Sequence, residues 1–150
     1  MADGTVDIHT WIERQLEAIY EEASREAERI QKILNGRTRV GDTEGAGGQG
    51  STELRVRVRR LPSGAVSIEW LSRKWWRNAE GRARFRTSYV RKGTNVTVPA
   101  SRLKVHARSA DMAEVLAAEA AFSEYRKRVK RIIKLADMLK ELGLEGTLPF

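Results

Sequence analysis

Six arginines alternate with small or apolar residues in two separate stretches: Arg55, Arg57 and Arg59 between Glu53 and Arg60, and Arg82, Arg84 and Arg86 between Gly81 and Thr87. A guanidinium is planar, stays charged at any physiological pH and carries five donors in a fixed fork. Its chemistry is to grip phosphate or carboxylate oxygens, or the O6/N7 edge of guanine. Because neighbouring side chains on a strand point to opposite sides, each triplet lines one face of its strand. If the two strands turn those faces the same way, six cations share a plane on which the strand between them offers only Ser67 and Glu69. Such a plane repels itself and calls for an anionic partner. The plainer reading is a solvated sheet face whose charge blunts an edge. One-sidedness counts against it, since solubility faces mix signs.

Further basic residues surround this set. Arg73, Lys74 and Arg77 accompany the consecutive Trp75 and Trp76, and Arg91, Lys92, Arg102 and Lys104 follow. The two triplets suit base edges in a groove, and these others suit backbone phosphates. Two successive tryptophans on a strand point to opposite faces unless a bulge intervenes. One of them is therefore expected to be exposed, where its ring could stack on a base, wedge into a groove or meet a protein; Trp75 joins the nucleic-acid-binding candidates.

Catalytic and metal chemistry find little to work with. The chain has no cysteine and only two histidines, His9 and His106, with no carboxylates paired at ligand spacing. A zinc site, a general acid-base pair or a nuclease centre is not expected, so the sequence reads as a non-enzyme without metal or cofactor. The glycines between Gly36 and Gly50 lack the Gly-Lys-Ser/Thr ending of a phosphate-cradling loop.

The elements that must position the arginines follow from periodicity. Alternating strands from Glu53, from Ala65 and from Arg82, separated by Pro62-Ser63-Gly64 and by Asn78 to Gly81, predict a three-stranded antiparallel meander. Asn95 to Val98, before Pro99, has the composition of a short fourth strand. Upstream, Trp11, Ile12, Leu16, Ile19, Tyr20, Ala23, Ala27, Ile30, Ile33 and Leu34 recur at three- and four-residue spacing, which predicts a helix over 8–35. Thr10 with Glu13 makes a capping box for it, with Asp7 competing one turn earlier, and Asn35-Gly36 stops it. Residues 36–52 read as a flexible Gly-rich linker. The last element is a helix over 111–142, capped by Asp111 with Glu114, whose residues Val115, Phe122, Val129 and Ala136, with Ala118, Tyr125, Ile132 and Leu139, keep a heptad pattern. Its basic run from Arg126 to Lys134 reads as a solvated face or as added phosphate contacts. The fold class is α+β: one domain over 1–150 with a long helix at each end of a basic sheet over 53–98.

Charge is distributed to match. Of the net +8, residues 1–52 contribute 6 basic and 10 acidic side chains, residues 53–108 contribute 15 and 3, and residues 109–150 contribute 7 of each. A positive field confined to one soluble segment points to nucleic acid before a membrane, and no stretch reaches the roughly 18–20 apolar residues of a span. A cytoplasmic protein is the expectation. Both helices overhang a three-stranded sheet, so pairing with a second copy would bury the excess. The resulting homodimer would set two basic sheets at a fixed separation, as palindromic duplex DNA requires.

Read together, Ile68-Glu69-Trp70, the basic aromatic hairpin, Tyr89-Val90-Arg91-Lys92-Gly93, Ser101-Arg102-Leu103 and the long helix with Phe122 and Tyr125-Arg126 resemble the MobI-like conjugative transfer proteins. The resemblance covers residues 65–140. It implies an auxiliary relaxosome component that binds the origin of transfer of a plasmid or integrative element and assists a relaxase without catalysis of its own. Two other classes remain open: an RNA-binding protein whose Trp75, Trp76 and Tyr89 stack on unpaired bases, and an adaptor or inhibitor whose basic face docks on an acidic protein.

Overall fold

The structure, a computed structural model, describes residues 5–35, 51–93, 96–143 and 147–149. In chain order the elements are β1 (Thr5–Asp7), α1 (Ile8–Asn35), β2 (Ser51–Arg60), β3 (Val66–Arg77), β4 (Ala83–Val90), α2 (Ala100–Lys104), α3 (Met112–Glu141) and β5 (Thr147–Pro149). The predicted α+β arrangement is present: a long helix, an antiparallel sheet in the order β2-β3-β4, and a second long helix. Most of the segment expected to be a linker lies outside the described residues. Its last two positions, Ser51 and Thr52, already pair with Trp75 and Lys74 as the start of β2.

Helix α1 begins where the earlier of its two competing caps sits. The Asp7 carboxylate accepts from the amides of His9 at 2.9 Å and Thr10 at 3.3 Å, satisfying two of the donors that a helix start leaves open. Thr10 lies inside the helix instead of capping it. Leu16, Ile19, Ala23, Ile30 and Leu34 form its buried stripe. They meet Leu54, Val66, Ile68, Trp70 and Val90 of the sheet, together with Val115, Ala118, Phe122 and Val129 of α3, in one core. Trp70 and Phe122 lie at its centre, edge to face with ring centroids 5.5 Å apart. Burying aromatic side chains of this size contributes on the order of 2–3 kcal/mol each. The heptad residues of α3 as far as Val129 are thus occupied inside the chain, while Leu135, Met138 and Leu142 further along are exposed.

Both helices lie on the face of the sheet that carries the even-numbered residues of β3; we term this the back and the other the front. Helix α1 also closes the outer edge of β2, where the Gln31 side chain accepts from the Val56 amide at 3.0 Å. Among the described residues, edge β4 has no such cover.

Two features depart from the sequence pattern. Val96 to Val98 form no strand; instead the Thr97 carbonyl accepts from the Gly93 amide and the Val98 amide donates to Glu119. And β1 pairs antiparallel with β5, Thr5 opposite Pro149, a contact between residues too far apart in sequence for any local pattern to announce.

A buried polar node ties α3 to the sheet. Glu119 accepts from Trp70 Nε1 at 2.9 Å and the Val98 amide at 2.8 Å, and it forms an ion pair with Arg126 Nη1 at 2.9 Å. Arg126 in turn donates to the carbonyls of Ile68 and Val96. The basic run of α3 therefore splits. Arg126 is 6% exposed and is neither part of a solvated face nor placed to touch phosphate, because its side chain turns inward to the buried carboxylate of Glu119, seven residues earlier. Asp111 precedes α3 but makes no capping hydrogen bond; its Oδ2 accepts from Arg108 Nε at 3.1 Å.

Candidate nucleic-acid interface

Register decides where the arginines go. Across β2 and β3, Arg55 stands opposite Leu71, Arg57 opposite Glu69 and Arg59 opposite Ser67. Across β3 and β4, Lys74 stands opposite Arg86, Trp75 opposite Phe85 and Trp76 opposite Arg84. Directly opposed residues share a face, and pairing along β3 is continuous from Val66 to Arg77. Arg55, Arg57 and Arg59 therefore lie on the front with Arg73, Trp75 and Arg77. Arg84 and Arg86 lie on the back with Lys74 and Trp76.

The common plane of six arginines does not form. Alternation within a strand is written in its own residues, but the phase between strands is set by the turn that joins them. Here that turn is Asn78 to Arg82, so Arg82 belongs to the loop and not to β4. Asn78 organises it. Its amide donates to the Arg82 carbonyl at 3.0 Å, and its side-chain oxygen accepts from the amides of Glu80 and Arg82. Gly81, at φ 80°, supplies the left-handed step that closes the turn.

The front triplet is paired with acids where it stands. Arg57 Nε donates to Glu69 Oε2 at 2.8 Å with its Nη2 alongside, and Arg59 Nη2 reaches Glu69 Oε1 at 3.0 Å, where the Ser67 hydroxyl also donates at 2.8 Å. Burial alone would raise the Glu69 pKa; the hydrogen bonds from Arg57, Ser67 and Arg59 outweigh it and hold the carboxyl below its ordinary value. Arg55 pairs with Glu53 at 3.0 Å, and the other oxygen of Glu53 accepts from Trp75 Nε1 at 3.2 Å. Arg60, at the far end of β2, reaches Glu13 and Glu17 of α1.

The back set is different. Every residue from Ala83 to Tyr89 is exposed, whichever side it points to. The far half of β3 and all of β4 up to Val90 thus form a ribbon standing clear of the helices, edged by the start of β2 as far as Trp75 and two strands wide only where Trp76 and Arg77 face Arg84 and Ala83. Cover on the back ends between Ser72, which is buried, and Lys74, which is exposed. Among the described residues no acid pairs with Lys74, Arg82, Arg84 or Arg86. Trp76, 37% exposed, sits among them opposite Arg84. The consecutive tryptophans do divide between the faces, and the exposed one is Trp76, which shares the parity of buried Ile68 and Trp70. Alternation separates the two rings but does not mark the point along the strand where the helices stop covering the back.

The remaining candidates spread around the ribbon. The Arg73 guanidinium lies 4.5 Å above the Phe85 ring, and Arg77 Nη1 donates to the Gly81 carbonyl at 2.9 Å. At the root of β4, Arg102 Nη1 donates to the carbonyls of Arg91 and Lys92 at 2.9 and 2.7 Å, binding α2 to the end of the strand. Arg91, Lys92 and Lys104 are exposed there. Arg91 and Arg102 line a shallow cavity of about 420 Å³ with Tyr89, Val90, Val105 and His106. His106 lies with Nδ1 3.0 Å from the Ser72 hydroxyl, and burial lowers its pKa. Among the described residues no group of three or more His, Cys, Asp or Glu could hold a metal ion, and no described helix is long and apolar enough to cross a membrane.

These features define an α+β protein with two long helices on one side of a three-stranded sheet and a basic, aromatic ribbon leaving its edge. Residues 19–140 match the family model described as MobI protein. That span is most of the chain, and the chain belongs to the MobI family, which makes it a protein related to mobilisation and conjugation. No curated protein and no solved structure matches it.

Proposed function

We propose that this chain is a non-catalytic accessory protein of DNA mobilisation that grips duplex DNA with the back face of its β3–β4 ribbon. The observation that carries the reading is the cluster of Lys74, Arg82, Arg84 and Arg86, exposed and without an acid partner among the described residues. Cations held apart from acids retain their attraction for phosphate, whereas paired ones must first break a bond. A two-stranded ribbon fits the major groove, and the end of this one, where Arg84 faces Trp76 beyond the start of β2, is two strands wide; there arginine can read guanine while its neighbours hold phosphates. Trp76 adds a ring that can pack against sugar or base. Arg91, Lys92, Arg102 and Lys104 extend the basic track past the root of the ribbon. In the setting of its family, the bound DNA would be an origin of transfer and the protein assisted a relaxase.

Anisotropy titration of a labelled duplex at several salt concentrations tests this. With about five phosphates neutralised, log affinity falls with log salt at a slope near −4.5. Replacing Arg84 and Arg86 by Ala reduces that slope by about 2 and weakens binding at least tenfold. A slope near zero, or full affinity in R84A/R86A, would overturn the assignment.

A further inference from the structure

The front of the same ribbon is built differently, and the grip on duplex makes no use of it. Phe85 and Tyr89 project from it, 50% and 44% exposed. Four residues apart on one strand, they point the same way and stand roughly 13–14 Å from each other. Trp75 lies against Phe85 with centroids 4.8 Å apart. The Arg73 guanidinium caps the Phe85 ring, and its buried Nε makes no hydrogen bond. Because Glu53 holds the Trp75 indole by Nε1, the rings are positioned before any ligand arrives.

We propose that this face is a platform for the unpaired bases of a single nucleic-acid strand, one base stacking on the Phe85 cluster and another on Tyr89. Any base offers a π face to a ring or guanidinium, and only an unpaired strand can turn that face outward. The separation of the two rings far exceeds the roughly 3.4 Å rise of a stacked strand, so the strand is bound extended with its bases splayed. Charge favours the same occupant. The two acids of this face, Glu53 and Glu69, are both held by arginines, which leaves a cationic surplus for the strand's phosphates. A protein partner would have to cover Arg73 and two rings separated by Thr87. One side of the ribbon then holds paired DNA and the other a melted strand.

The test uses the full chain, a labelled oligo-dT single strand and a labelled hairpin duplex of equal charge. Replacing Phe85 and Tyr89 together by Leu keeps apolar surface and removes the rings. Oligo-dT affinity is expected to fall tenfold or more, duplex affinity to stay within twofold, and R84A/R86A to show the opposite preference. Oligo-dT carrying iododeoxyuridine should crosslink at Phe85 or Tyr89 on irradiation. Undiminished oligo-dT binding in F85L/Y89L, or crosslinks confined to other residues, would overturn the platform and leave the duplex reading standing. Retained oligo-dT binding with no duplex binding would sink the duplex reading and leave the platform.

Discussion

In β2, Arg57 and Arg59 converge on the single carboxylate of Glu69, and Arg55 leans on Glu53. In β4, Arg84 and Arg86 stand opposite Trp76 and Lys74 with no acid paired to them among the described residues. The two strands carry the same residue in the same alternation, yet one set locks the sheet to itself and the other faces outward unengaged. What separates them is the position of two glutamates, not the number of cations. A count of arginines measures how strong a field could be. The map of their counter-charges tells where that field survives.

The contrast can be broken most forcefully at its buried extreme. Arg126→Ala would leave Glu119 charged and without its partner inside the core, and should cost about 3–5 kcal/mol by chemical denaturation. The same variant should bind duplex unchanged at any temperature where it remains folded, since no ribbon residue is touched.

Next comes a direct exchange between the strands. Arg57→Ala with Arg59→Ala should change duplex affinity by less than about threefold, against the tenfold or greater loss in R84A/R86A, because arginines already bonded to Glu69 contribute little more than long-range field. Equal losses in the two double variants, read by the same anisotropy titration, would erase the distinction drawn here.

Smaller still is the effect of Glu69→Gln. It should lower stability by about 1 kcal/mol, a modest figure because both arginine partners are half exposed. It should also raise oligonucleotide affinity severalfold by releasing two guanidiniums to the front. The pH dependence gives a second handle. The Glu69 pKa is lowered in the folded chain, so its contribution is fully present above the ordinary carboxylate range and is lost as pH falls through the folded value. Thermal melts of E69Q should lack that part of the acid destabilisation.

Much of this architecture was legible beforehand, and the failures share a cause. Three- and four-residue spacing located α1 and α3, alternation located the strands, and Asp7 was among the candidate caps, because each of these is a property of neighbours along the chain. Register between β3 and β4 is not, nor is the pairing of β1 with β5. The inward turn of Arg126 depended on Glu119, two turns earlier on the same helix, being buried rather than solvated. Which of Trp75 and Trp76 is exposed stayed open for a related reason: alternation puts them on opposite faces, and only the three-dimensional reach of the helices shows that the cover has ended by Lys74. Local chemistry named the arginines and not which way they look.

Asn78 and Gly81 fix a five-residue connection between β3 and β4, and with it the phase of the whole ribbon. Were that connection one residue shorter with the strands otherwise aligned, every side chain of β4 would change sides, carrying the aromatics toward the helices and the arginines away from them. Which face carries the cations and which the rings is thus encoded in the length of a small loop.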